Sequence, residues 1–376
     1  MVPDGKRNRR PGQPPPHLPR IRSAMPTADA AAPPKKPRRI LSGVQPSGKL
    51  HLGNYFGAIR QHIALQNEGE CFFFIADYHA LTTVRDTARK LAEDSKKPVD
   101  VAGLLRGYTH DVALDYLALG LDPDRVAFFR QSDVPEVTEL AWILGTVTNM
   151  GLLERATSYK DKVDKKIEAS VGLFTYPVLM AADILIYRSH VVPVGEDQVQ
   201  HLEMTRDMAG RFNRAFGEVF PEPAARVLPE VAKVPGLDGQ KMSKSYGNTI
   251  DIFAEGGPLK KRVMSIVTDK KQLGESLDPD NNTVFTLYSL FATPEERAAL
   301  AERYRAGTTG YGDAKKLLLE AIERYFAPAR ERRKQLAQDP DFVEGVLERG
   351  ARKARAEAQA TMELVRRAAG FRPRPA

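Results

Sequence analysis

Polar and apolar positions change period several times along this chain, and each change predicts an element. RRILSGV, residues 38–44, is a short apolar run closing near Gly43 and predicts a first strand. From Asn54 the apolar spacing turns helical and stays so through Gln66. CFFFIAD, residues 71–77, is a continuous apolar run bounded by Gly69 and Asp77, the pattern of a strand buried on both faces. A long helical pattern from Thr87 to Leu119 leads into DPDRVAFFRQSD, which reads as turn, strand, turn. VVPVGED, residues 191–197, predicts another short buried strand, entering a helix that ends near Phe216. Strands alternating with helices predict an α/β fold on a doubly wound parallel sheet.

The remaining patterns divide the chain. Residues 131–190 are mostly helical between two expected strands, so they read as a helical insertion in a sheet domain spanning residues 40–235. EVFPEPAARVLPEVAKVPGLDGQ is proline-rich and marks the exit from the sheet. Residues 236–257 form a loop and linker around GQKMSKSYGN. Beyond it, residues 258–376 read as an all-α domain, with amphipathic spacing in PEERAALAERY and two longer segments that predicts a bundle.

Composition changes this picture mainly at the N-terminus. Residues 1–39 hold ten Lys/Arg against two Asp/Glu and account for the whole net charge of +8. This Pro/Ala/Arg-rich tail cannot bury a core and is expected to be disordered, or to precede a true start at Met25. Within the neutral remainder, residues 292–376 carry 18 basic and 13 acidic residues, modest support for a phosphate-bearing partner. The single cysteine, Cys71, excludes an internal disulfide framework and a cysteine-rich zinc site, and a reducing cytoplasm is the expected compartment. The longest apolar run, Cys71 to Ala76, is far too short to span a bilayer.

Candidate chemistry gathers in four loops. SGVQPSGKLHLGN combines a strand end, glycine turns, His51 and a helix start beside Gly53 and Asn54, which would offer free N–H groups to phosphate. It is neither a Walker loop nor a dinucleotide fingerprint. In VPVGEDQ, Gly195, Glu196, Asp197 and Gln198 leave a strand directly; they suit ribose hydroxyls, or simply the acidic first turn of a helix. ADYHA places His79 near the same sheet edge. In GQKMSKSYGN, Lys241 and Lys244 sit three apart between Gly239 and Gly247, a solvated turn or a clamp for a polyanion.

Together, HLGN and a literal KMSKS at 241–245 resemble the two signatures of class I aminoacyl-tRNA synthetases. SGVQPSGKLHLGNYFGAIRQ, YPVLMAADILIY and VPVGEDQVQHLEMTRDMAGRFN are similar to the tryptophanyl-tRNA synthetase family from about residue 40 onward. The resemblance implies a Rossmann catalytic domain, a helical anticodon-recognising domain, a homodimer, and the substrates L-tryptophan, ATP with Mg2+, and tRNA(Trp). It also implies roles. Asp183 would accept the indole N–H, with Tyr176 and Met180 shaping the slot; the same i, i+4, i+7 spacing also fits an ordinary buried helix face. Gln45, His79 and Gln198 match positions around the amino acid's ammonium and carboxylate. Gln45, Pro46, Ser47, Gly53 and Asn54 match ATP contacts. So do Gly195, Glu196 and Asp197, and so do Lys241, Met242, Ser243, Lys244 and Ser245. Val234 is aligned with a backbone contact to adenine. Lys162, in SYKDKVDKK, matches a lysine that reaches the phosphates, and a solvated charge run is its bland alternative. His51 departs from the threonine many members carry, and restores the commoner class I histidine. Lys162, Lys241, Lys244 and His51 are the expected catalytic set, no metal ligand is expected, and a tyrosyl-tRNA synthetase or a non-tRNA nucleotidyltransferase is the alternative.

Overall fold

Five parallel strands carry the fold in the computed structural model, which describes residues 38–156, 159, 170–195, 198–227 and 234–372. They are β1 (Arg39–Val44), β2 (Glu70–Ile75), β3 (Val126–Arg130), β4 (Val191–Val194) and β5 (Ala224–Val227), in the spatial order β3-β2-β1-β4-β5. Every pairing is parallel, with Ile40 of β1 beside Cys71 of β2 and Val191 of β4. The order reverses between β1 and β4, so the loops leaving these two strands diverge and open a crevice at their carboxyl ends. Most of the basic tail, residues 1–37, lies outside the described residues.

Alternation along the inner strands explains why the sheet needs a helical layer on each face. Cys71, Phe73 and Ile75 of β2, with Val126 and Phe128 of β3, enter one core; Phe72 and Phe74, with Ala127 and Phe129, enter the other. After β1, helix α1 opens at Leu52–Asn54, widens into an i→i+5 turn over Tyr55–Ile59, and continues as Arg60–Ala64. Helices α2 (Asp77–Ser95) and α3 (Val101–Ala118) follow β2. The single helix expected up to Leu119 is therefore two. Lys96 turns left-handed at φ 55°, Pro98 follows, and the Asp100 side chain caps the new start by accepting from Ala102 N–H. Between β3 and β4 lie α4 (Glu136–Val147), α5 (Met150–Leu153) and α6 (Val171–Ile186), and α7 (Val199–Phe216) follows β4.

Beyond β5 come α8 (Gly256–Met264), α9 (Thr283–Tyr288), α10 (Pro294–Arg305), α11 (Tyr311–Ala337) and α12 (Pro340–Ala368). β5 is a correction, because the proline-rich stretch was expected only as an exit from the sheet. It is a short edge strand with three of its four residues exposed or nearly so, and such a strand needs no apolar run. The expected C-terminal bundle also differs. Helices α8 to α11 contribute to the same core as α1 and α3. Helix α12 begins in that core at Val343, Val346 and Leu347, then continues into the opposite core through Ala354, Ala358 and Val365. It passes the open edge of β3 at Gly350, where a Cβ would lie 1.9 Å from the carbonyl oxygen of Phe128. Among the described residues no helix is long and apolar enough to cross a membrane.

Candidate active site

The crevice between β1 and β4 holds a cavity of about 950 Å³. One end is built by the insertion. Asp183, on α6 and 3% exposed, brings a carboxylate to the cavity wall with Met180 and Tyr176, one and two turns earlier. His79 Nε2 lies 2.9 Å from Asp183 Oδ2, and Gln131 Nε2 donates to both carboxylate oxygens at 2.9 and 2.8 Å. Burial pushes the Asp183 carboxyl up, while the hydrogen bonds from His79 and Gln131 pull it back. The result is a carboxylate held in one orientation in an apolar wall, suited to accept from a buried N–H or O–H. The Tyr176 hydroxyl is hydrogen-bonded to His201 Nε2, which sets the ring's tilt.

Gln131 was not anticipated. It directly follows the strand VAFFR, and the rule that singled out the residues after VVPV would have found it too. The residue behind it is equally organised: Asp77 accepts from Ser132 N–H at 3.0 Å and from the Ser132 hydroxyl.

The other end is built by α1 and the lysine loop. Gln45 lines the cavity and donates through Nε2 to the Thr83 hydroxyl at 3.0 Å. Close packing across the β1–β2 pair favours glycine at 43, where a Cβ would lie 2.5 Å from the Phe74 ring. Gly53, Gly195, Gln198 and Val234 also line the cavity, as do Lys241 and Met242. The wide turn of α1 brings Gly57 and Ala58 to the same wall.

His51 has a structural task as well. It is 6% exposed and caps α1, with Nδ1 accepting from Asn54 N–H at 3.3 Å while Asn54 Oδ1 accepts from His51 N–H at 3.2 Å. Burial, helped by the charge of Lys244, lowers the imidazole to about 4, so it is neutral at pH 7. With Nδ1 accepting, the proton resides on Nε2 and is a donor. His51, Pro46, Ser47 and Asn54 lie outside the cavity lining, with the His51 ring packed against Gly53.

The lysine loop is better anchored than a solvated turn. Met242 is 3% exposed, its sulfur accepts from Gly53 N–H at 3.4 Å, and its own N–H donates to the Val234 carbonyl at 3.0 Å. Lys244 reaches across the cleft mouth and donates from Nζ to the Ser47 carbonyl at 2.9 Å. Burial lowers the Lys244 ammonium pKa, opposed by Asp115 and Asp251. Gly239 and Gly247 have φ of +80° and +63°, so both ends of the loop use the left-handed region. Ser243 lies inside it, and of Ser245 only the backbone is described. Lys162, Glu196 and Asp197 lie outside the described residues.

This geometry has known counterparts. The family described as tRNA synthetases class I (W and Y) matches residues 33–327. The tryptophan–tRNA ligase of Rhodopirellula baltica is 52% identical over 334 residues, covering 89% of this chain and all of the relative. That of Fusobacterium nucleatum is also 52% identical, covering 85% of this chain and 93% of the relative. A crystal structure of Campylobacter jejuni tryptophanyl-tRNA synthetase complexed with ADP and tryptophan superposes with a TM-score of 0.81 at 47% identity, covering 89% of this chain and 100% of that one.

Proposed function

The chain belongs to the class I tRNA synthetases (W and Y), and we infer that it is a tryptophan–tRNA ligase, activating L-tryptophan with ATP and transferring it to tRNA(Trp). The observation that carries the site assignment is the buried carboxylate of Asp183, clamped by His79 and Gln131 in a wall with Met180 and Tyr176. Such a carboxylate accepts the indole N–H and rejects a side chain without a donor there.

In the first step a tryptophan carboxylate oxygen attacks the α-phosphorus of ATP. The new P–O bond forms as the bond to the leaving oxygen breaks, and the electron pair departs with pyrophosphate. The attacking group is already ionised at pH 7, so no general base is needed and positioning and charge stabilisation do the work. Gln45, His79 and Gln198 orient the amino acid's polar end. Pro46 and Ser47, Gly53 and Asn54, and Gly195 to Asp197 surround the nucleotide, and the Val234 backbone meets its base. Lys241 and Lys244, with Met242, Ser243 and Ser245 shaping the loop, neutralise the pyrophosphate charge, assisted by Lys162. His51 supports this as a neutral Nε2–H donor beside the start of α1. Mg2+ enters as the counter-ion of ATP, a part of the substrate.

In the second step the tryptophanyl group passes to the terminal adenosine of tRNA, on its 2′-hydroxyl, releasing AMP. Residues 258–376 serve as the anticodon-recognising region, consistent with the excess of basic residues in 292–376. The enzyme works as a cytoplasmic homodimer, a reading supported by exposed Trp142, Met150 and Val171 on the insertion helices. ATP–pyrophosphate exchange across the twenty amino acids tests the assignment. Exchange is expected with tryptophan alone; exchange with tyrosine instead overturns it.

A further inference from the structure

The lysine loop contains the groups that meet ATP, and beyond the Met242 anchor its two arms must still be held in register. That task falls on one buried amide just beyond it. Asn248 is 3% exposed, and its side chain spans both arms of the loop. Its Oδ1 accepts from Ser243 N–H at 2.8 Å; its Nδ2 donates to the Lys241 carbonyl at 3.2 Å and to Asp238 Oδ1 at 2.7 Å. The peptide groups on either side of Met242 are thus tied to one side chain. Leu237 N–H donates to the Asn248 carbonyl at 2.9 Å, so the backbone at 248 is fixed as well. Space around the amide is closed, because a Cβ on Gly236 would lie 2.2 Å from Asn248 Nδ2. The outgoing chain is held in turn by Arg262, whose guanidinium donates to the Gly247 carbonyl at 2.7 Å and from Nε to the Thr249 carbonyl at 3.0 Å.

From this arrangement we propose that Asn248 is a positioning residue for adenylate formation, resting on the reading of the cleft as an ATP site. It sets the register in which Met242 seats under Gly53 and Lys241 and Lys244 face the phosphates. A fixed amide suits this task better than a charged group. It offers one acceptor and two donor directions, and this site uses all three in matched pairs. An aspartate keeps the shape and the Ser243 bond, but sets an acceptor against both Asp238 and the Lys241 carbonyl.

The test is tryptophan-dependent ATP–pyrophosphate exchange on the full chain, with Tm recorded for every variant. Asn248→Asp is expected to lower kcat/KM for ATP by about 10²-fold, the scale of a misplaced catalytic group, while leaving the KM for tryptophan unchanged. Exchanging the partners in Asp238→Asn/Asn248→Asp restores a donor–acceptor pair, and recovery of about tenfold is expected, since contacting sites couple. Asp238→Asn alone retains an acceptor for Asn248 and is expected to behave like wild type. An ATP response equal to wild type in Asn248→Asp overturns the proposal. So does an equal loss for ATP and tryptophan that follows a lowered Tm and is not recovered by the double variant. A wild-type protein without tryptophan-dependent exchange overturns the functional reading itself, a result distinct from both.

Discussion

Asp183 shows how much a single residue contributes once its neighbours are known. The spacing of Tyr176, Met180 and Asp183 fitted a plain buried face as well as a substrate slot. The carboxylate's two partners, 52 and 104 residues away in sequence, hold it at the cavity wall, an arrangement that favours the slot. Asp183→Asn is expected to raise the tryptophan KM by about 10- to 100-fold, as for loss of a charged hydrogen bond, with a smaller effect on ATP. Exchange kinetics measure this, and an unchanged KM removes Asp183 from indole recognition. Lys244→Ala should slow single-turnover adenylate formation by about 10²-fold or more while tryptophan binding is retained, since its charge matters only as pyrophosphate leaves. Two histidines predict an acid-labile fold. Burial lowers both His51 and His62 from 6.5 to about 4. Between those values the unfolded chain binds protons that the folded chain does not. Their contribution is therefore complete above pH 6.5 and is lost as pH falls toward 4. Near pH 5 the loss is about 1–2 kcal/mol per histidine after solvent screening, and denaturant titrations at stepped pH measure it.

Elements were legible in proportion to how fully they are buried. β1 to β4 were anticipated because each carries a short apolar run, whereas β5 carries none and was read as an exit. The break at Lys96 was missed because the helical period resumes almost in phase beyond Pro98. Helix α12 is the sharper lesson: its periodicity announces an apolar face, but the partner of that face is the open edge of β3. Gly350 is required there by contact with the backbone, which cannot rotate away as a side chain can. Gly350→Ala is expected to destabilise the protein by about 1–3 kcal/mol, the cost of overpacking, although alanine is the better helix former. Thermal melts decide this; a raised Tm would mean that α12 is not held against β3.

At the scale of the whole molecule, the insertion helices leave Trp142 77% exposed, and it is the chain's one tryptophan. A second copy covering this surface would bury it. Sedimentation velocity is expected to find a dimer for the wild type and a monomer for Trp142→Glu, whereas a monomeric wild type would discount the homodimer. The sequence by itself determined the α/β class, the sheet's first four strands, and many of the polar and glycine positions that line the cleft. Those properties are carried by local period and by short contiguous motifs. Tertiary structure alone decided the rest: the clamp on Asp183, the seat of Met242 under Gly53, the reach of Lys244 to Ser47, and the course of α12 across the sheet edge. Each joins groups from distant parts of the chain, and distance along a chain leaves no imprint on local pattern. The parallel strands gather the segments that follow them at one end of the sheet, and that brings the groups of the cleft together.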